Sequence, residues 1–295
     1  MCGRLVMKKI YLLSTEHLED GLWFRDEEDF KVAMNYVAIQ AALCQEVVVL
    51  AFILMSNHVH FVLKGRYEDV VAFINGFKSR FSLYLKHKYG VNEFLRRNSV
   101  DVRQIPYDDD AVERAIAYVQ MNCVAANICS SPTQYAWGTG STFFNSAARH
   151  GKIIGDMPQR ARIRLLHTKA DTIPIHWTVG EDGYILPENY VDYRAVEACF
   201  RTPKRMNFFL NTSSKAKKRL EADENLPAFK DQTILATIPD LCRSLFQKSY
   251  FEQLSEAEQK ELLKQIRFRF SADANQIARV CGLTYARAAN MLDSE

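Results

Sequence analysis

The amino-acid sequence predicts an α+β fold: an antiparallel sheet with helices on one face, followed by a mostly helical C-terminal region. Three observations carry that reading. The stretch Val47–Lys64, VVVLAFILMSNHVHFVLK, is rich in β-branched and large apolar residues and is interrupted only by Met55-Ser56-Asn57. That is the pattern of two strands, or one long bent strand, in the middle of a sheet. Segments on either side repeat their apolar residues at helical spacing. Strand, helix, strands, helix and a further helix is the order of a compact α+β sandwich.

Taken in order, Lys9–Ser14 is the first expected strand, with Gly21–Phe24 as its partner. Asp26–Gln45 is a helix that Asp26 can cap, with Phe30, Ala33, Met34, Val37 and Ala41 on one face. Glu68–Tyr89 is a second helix, striped by Val70, Ile74, Phe77, Phe81 and Tyr84 and stopped by Gly90; Lys78, Arg80, Lys86 and Lys88 fall on its other faces. Val91–Tyr107 reads as irregular and basic, with Arg96, Arg97 and Arg103. From Asp108–Asp110 to about Asn127 a third helix buries Val112, Ile116, Val119 and Cys123. Its Tyr118 and Asn122 lie at the edge of that stripe, where a side chain can meet something docked on the sheet. Ser130–Asn145 is turn and loop, closing the unit near Ala148.

Farther on, Ile175–Val179 and Tyr184–Leu186, around Glu181-Asp182-Gly183, predict a small hairpin. Asn189–Phe200 and Lys204–Leu220 read as helices, the second heavily basic. Ser255–Phe270 is a helix opened by a Ser255/Glu258 capping box. Ala272–Glu295 reads as two short helices about Gly282. It fits a helix-turn-helix, with Tyr285, Arg287 and Asn290 on the groove-reading helix, and it fits an ordinary three-helix packing unit equally well. The expected division is a sheet domain over 1–148, a mixed basic connection over 149–230 and a helical unit over 231–295.

A chain of 295 residues can bury a sizeable core in one large or two ordinary domains. Its net charge is only +3, but residues 64–104 hold nine Lys and Arg against four Asp and Glu, and residues 201–219 hold seven against none. Both blocks are interleaved with aromatics (Phe77, Phe81, Tyr84, Phe208 and Phe209), which suits a polyanion with stackable bases. Lys78, Arg80, Arg96, Arg97, Arg103, Lys204 and Arg205 are the candidate contacts. The seven cysteines form no CxxC pair, so neither a disulfide framework nor a zinc knuckle is signalled, and thiols in a reducing cytoplasm are expected. No apolar run reaches the roughly 18–20 residues of a membrane span. The N-terminus lacks the long apolar region and small-residue cleavage site of a secretory signal, and Met7 serves as a start as well as Met1.

Side chains alternate along a strand, so His58 and His60 share one face while Val59 and Phe61 take the other. Two adjacent imidazoles form half a metal site or a proton-transfer pair. Together with the Asn122 amide oxygen they would give three ligands to a hard cation, Mg²⁺ or Mn²⁺, with open positions for a phosphate that the ion polarises. Tyr118, one turn before Asn122, falls on the same edge. Its phenol is a poor nucleophile at an ordinary pKa of ~10, but a nearby metal favours the phenolate. A covalent phosphotyrosine would follow, keeping bond energy for rejoining. Tyr84, Tyr89 and Tyr107 are rival nucleophiles by type, and a surface His pair is the competing structural reading.

MSNHVHFVLK resembles the signature of the single-tyrosine HUH transposases, the group that includes REP-associated tyrosine transposases. FKSRFSLYLKHKYG, VDVRQIPYDDDAV, AYVQMNCVAANI and PTQYAWGTGSTFF resemble further pieces of that family, in the family's order, over roughly residues 8–145. The resemblance implies a ferredoxin-like catalytic domain that cuts and rejoins single-stranded or hairpin DNA with Mg²⁺ or Mn²⁺. His58, His60 and Asn122 would hold the metal, and Tyr118 would attack the 5′ phosphate and free a 3′ hydroxyl. Two departures stand out: Asn122-Cys123 where the family has Asn-Pro, and Gly138-Thr139 where it has Ser-Ser. The implied protein is a bacterial, cytoplasmic, nucleoid-associated monomer or homodimer without membrane contact. Two other classes stay open: a catalytically silent, domesticated protein that binds hairpin or repeat DNA, and a His/metal hydrolase with no covalent stage.

Overall fold

The computed structural model describes the chain except residues 1–7, 17, 19–20, 92–94, 96–97, 107, 109, 146–150, 169–171, 214–228 and 294–295. The first half runs β1 (Lys9–Thr15), α1 (Glu27–Leu43), β2 (Val48–Met55), β3 (His58–Gly65), α2 (Tyr67–Tyr89), β4 (Val100–Gln104), α3 (Ala111–Gln120) and the single turn α4 (Asn122–Ala125). The four strands form one antiparallel sheet in the order β2-β3-β1-β4. The Val47–Lys64 stretch is thus two strands, joined by the two-residue turn Ser56-Asn57 with Met55 opposite His58.

Local chemistry sets the helix ends. Asp26 and Asp29 close a capping box at the start of α1. The buried Asp29 also accepts from Tyr84, Tyr89 and Lys88, at 2.9, 2.9 and 2.8 Å, which fastens the start of α1 to the end of α2. Gly90, at φ 68°, supplies the left-handed residue that stops α2.

Phe61 on β3 packs against Phe73 and Phe77 of α2, at 5.8 Å between ring centroids in each case. Helices α1 and α2 therefore lie on the face of Phe61. His60 points to the opposite face by strand alternation and meets Tyr118 of α3 there. With cover on both sides, β2 and β3 are apolar and buried almost throughout.

The stretch 130–145, expected as loop, seals the outer edge of β2. Leu54 N donates to Trp137 O (2.9 Å), and Gly138 bridges to Ile53. A Cβ on Gly138 would stand 2.8 Å from Phe52 O, so only glycine permits this approach. Thr139 Oγ1 accepts from Phe52 N (3.1 Å) and from Gln120 Nε2 (2.6 Å) and donates to Phe52 O (3.2 Å). The Gly138-Thr139 departure thus makes the contact that ties the end of α3 to β2.

Two expectations for this half are corrected. Gly21–Phe24 is no strand: Trp23 N and Phe24 N both donate to Ser56 O (2.8 and 3.2 Å), and their rings fill the core, so the apolar content marks a plug across the β2–β3 turn. Within the irregular 91–107 stretch lies β4, an edge strand whose Asp101, Arg103 and Gln104 are exposed and whose weak apolar pattern hides it.

Beyond residue 150 come β5 (Gly151–Ile153), α5 (Gln159–Leu166), β6 (Thr178–Gly180), α6 (Tyr193–Phe200) and α7 (Pro203–Thr212). The strand β6 does turn back over Glu181–Gly183, with Gly180 N donating to Tyr184 O, but its ladder partner is β5. The rest of the expected Lys204–Leu220 helix, from 214 onward, lies outside the described residues. These elements share the first hydrophobic core, which runs from Tyr11 to Phe209. A second core, from Ile234 to Leu292, joins α8 (Asp231–Phe246), α9 (Glu256–Phe270), α10 (Ala274–Cys281) and α11 (Tyr285–Asp293). The expected capping box opens α9, and Gly282 at φ 66° separates α10 from α11. Helix α8 lies within the helical unit expected over 231–295, and it holds Pro239 inside it, a residue that ordinarily argues against a helix interior.

Candidate functional site

The site is built on the face of the sheet that α3 only partly covers. Ser14 lies opposite His60 on one side and Asp101 on the other, and Leu12 lies opposite Arg103. Directly opposed residues of antiparallel strands share a face, so β1 and β4 surround the His face with polar groups. The result is a cavity of about 540 Å³ whose lining includes Ser14, Glu16, His60, Asp101, Arg103 and Tyr118. Asp101 and Arg103 pair at 2.5 Å.

The two imidazoles stand edge to face, with ring centroids 4.8 Å apart, and His60 meets Tyr118 at 5.7 Å. Each ring is oriented through Nδ1. Asn57 Nδ2 donates to Leu18 O (2.8 Å), which turns Asn57 Oδ1 toward His58 Nδ1 at 2.8 Å. An amide oxygen only accepts, so the contact favours the tautomer with the proton on Nδ1, in which Nε2 bears the lone pair. His60 Nδ1 is 2.7 Å from Ser14 Oγ. This arrangement, Nδ1 held by a neighbour, is the one that makes Nε2 a metal-ligating atom.

Tyr118 is half-buried. Burial pushes its phenol above the ordinary 10.0, and the Arg103 guanidinium pulls it back. Asn122 is buried as the first residue of α4 and donates through Nδ2 to the carbonyls of Tyr118 (2.9 Å) and Val119 (3.1 Å). Its Oδ1 is the atom of the right type for a hard cation. Among the described residues no three His, Cys, Asp or Glu side chains gather as a metal site. Imidazole nitrogen and amide oxygen are donor types that Mg²⁺ or Mn²⁺ accepts, and of His58, His60 and Asn122 it is His60 that lines the cavity.

The rival phenols are engaged elsewhere. Tyr84 and Tyr89 donate to Asp29, and burial together with that carboxylate raises both well above the usual tyrosine range. Tyr107 lies outside the described residues.

The candidate DNA contacts separate into groups. Arg103 reaches the cavity with Tyr118 and His60. Lys78 requires correction: it is only 3% exposed, and its ammonium donates to Asn98 O, so it is withdrawn from any surface a polyanion could reach. Arg80 is half-buried on α2, where its charge acts on the Tyr36 phenol of α1. Arg205 is committed to Asp110 and Glu113 and holds α7 to the start of α3, whereas Lys204 is exposed. Arg96 and Arg97 lie outside the described residues. Tyr285, Arg287 and Asn290 are exposed together on α11. Sequence reasoning missed Ser14, Glu16 and Asp101 as cavity residues; polar residues at the end of the first strand were the available signal, but the pairing that brings them to His60 is non-local.

Comparison of the chain with protein-family models, with curated proteins and with solved structures finds no match. No described helix is long and apolar enough to cross a membrane.

Proposed function

We propose that the chain is a metal-dependent enzyme that nicks and rejoins single-stranded or hairpin DNA through a 5′-phosphotyrosine at Tyr118. The observation that carries this reading is the meeting of His60 and Tyr118 (ring centroids 5.7 Å apart) on the wall of one polar cavity, with His58 stacked edge to face behind His60 at 4.8 Å. His58, His60 and Asn122 would hold Mg²⁺ or Mn²⁺. The bound ion would supply Lewis-acid polarisation of a phosphate oxygen.

Tyr118 Oη attacks phosphorus in line with the departing 3′ oxygen. One P–O bond forms as the other breaks. The phenol loses a proton and the leaving 3′ oxygen gains one, so the proton count is unchanged across the step. Arg103, on the same cavity wall, supplies positive charge for the phenolate and the phosphate. Because the phosphotyrosine keeps the energy of the ester, a 3′ hydroxyl can reverse the reaction and rejoin strands.

A binding-only reading has one observation in its favour. The Asn122 amide is turned onto its own helix, and burial raises the Tyr118 phenol, as in a site that no longer reacts. Incubation with hairpin DNA and Mn²⁺, followed by a denaturing gel, separates the readings. The enzyme gives a DNA–protein adduct that Tyr118→Phe abolishes. Tight DNA binding with no cleavage favours the silent binder, and metal-dependent cleavage with no adduct favours a hydrolase.

A further inference from the structure

The Ser56-Asn57 turn stands between the two hydrophobic cores. On one side, Asn57 orients His58 through the 2.8 Å contact between Oδ1 and Nδ1. On the other, Ser56 Oγ donates to Asp231 Oδ2 at 2.5 Å. Asp231 opens α8 and is 5% exposed, a carboxylate buried where the C-terminal helices meet the sheet domain. Two side chains of α10 complete its shell: Gln276 Nε2 reaches Oδ1 at 2.9 Å, and Arg279 reaches Oδ2 at 3.1 Å and Oδ1 at 3.3 Å.

We infer that Asp231 is a positioning residue for His58, so that the seating of the C-terminal helices sets the orientation of that imidazole. The inference rests on the reading of His58 as a metal ligand. The two-pronged Arg279 guanidinium pairs the buried carboxylate, and removing either partner leaves the other without its counter-group. Its third ligand is the turn itself. A two-residue hairpin turn has few backbone freedoms, so the anchor on Ser56 also fixes Asn57. The remaining ties on the turn come from the sheet domain: Trp23 and Phe24 N–H groups on Ser56 O, and Leu18 on both the side chain and the carbonyl of Asn57. The Asp231 contact is thus the direct side-chain route by which α8 and α10 reach the turn, through the sequence Arg279, Asp231, Ser56, Asn57, His58.

The test uses the full chain and two substitutions. Ser56→Ala removes the anchor on the turn and leaves Asp231 with Gln276 and Arg279. Gln232→Ala removes a docking contact of the same helix, the 2.9 Å bond from Gln232 Nε2 to Phe24 O, and leaves the Asp231–Ser56 bond and the Phe24 N bond to Ser56 O in place. The readouts are the ¹⁵N imidazole resonances of His58 without metal, and Mn²⁺ affinity by titration. Ser56→Ala is expected to shift the His58 nitrogens toward a mixed tautomer and to weaken Mn²⁺ binding about 10-fold, with Gln232→Ala within about two-fold of wild type. Unchanged resonances in Ser56→Ala, or equal shifts in both variants, would overturn the inference and leave Asp231 as a docking residue. If the wild type binds no Mn²⁺, the metal reading fails while the resonances still decide the positioning role.

Discussion

His60 stands edge-on to Tyr118, with ring centroids 5.7 Å apart and ring planes at 82°, although the whole of α2 and the strand β4 lie between them in the chain. One residue belongs to the central hairpin and the other to the helix on the opposite layer. Their meeting puts a phenol and an imidazole on the wall of one cavity.

Ser14 orients His60 through Nδ1 at 2.7 Å. Ser14→Ala removes that partner without opening a large void. Mn²⁺ affinity is expected to fall about 10- to 100-fold while the melting temperature hardly moves. Isothermal titration of the two proteins checks this, and equal affinities would count against His60 as a ligand.

Thr139 is fully buried and satisfies Phe52 N, Phe52 O and Gln120 Nε2 at once. Thr139→Val keeps the shape and removes the acceptor of Phe52 N and Gln120 Nε2, while Phe52 O keeps its bond from Thr139 N (3.1 Å). The expected loss is about 1–3 kcal/mol. It should appear as a lower urea midpoint at constant m. Because Gln120 ends α3, the same variant should also loosen the helix that carries Tyr118.

The Lys248 ammonium, 2.6 Å away, and the Ser255 capping contacts hold the Glu258 carboxyl down from the ordinary 4.5 to about 2. A depressed folded-state pKa gives stability that is fully present above about pH 4.5 and fades as pH falls toward 2. Acid unfolding of the C-terminal helices, followed by NMR or circular dichroism, should therefore steepen in that window. In Glu258→Gln that part of the pH dependence disappears.

Lys204 is exposed, whereas Lys78 is buried on Asn98 O. In single-stranded DNA binding, Lys204→Ala should flatten the plot of log K against log salt by roughly 0.7 if it removes one phosphate contact. Lys78→Met should leave that slope alone and lower stability instead. A slope change in Lys78→Met would contradict its burial.

Much of this was legible in the chain itself. The β-branched run around His58 and His60 marked the central hairpin, and the Ser255/Glu258 and Gly282 signals placed the C-terminal helix ends, because each is a local pattern. What stayed hidden was non-local. Ser14 reaches His60 only through strand pairing, and β4 carries charges because it faces the cavity at a sheet edge. Lys78 looked like a surface cation, since its spacing gives no hint that a loop carbonyl from residue 98 closes over it. Gly21–Phe24 looked like a strand because a short apolar run reads the same whether it pairs in a ladder or plugs a core.

Covalent chemistry at Tyr118 is tested most directly by proteolysis and mass spectrometry of the protein after reaction with a hairpin oligonucleotide and Mn²⁺. The account predicts a nucleotide mass on the peptide containing Tyr118, absent when Mn²⁺ is chelated and absent in His60→Ala. A nucleotide mass on a different tyrosine, or on this peptide in the Tyr118→Phe protein, would contradict it.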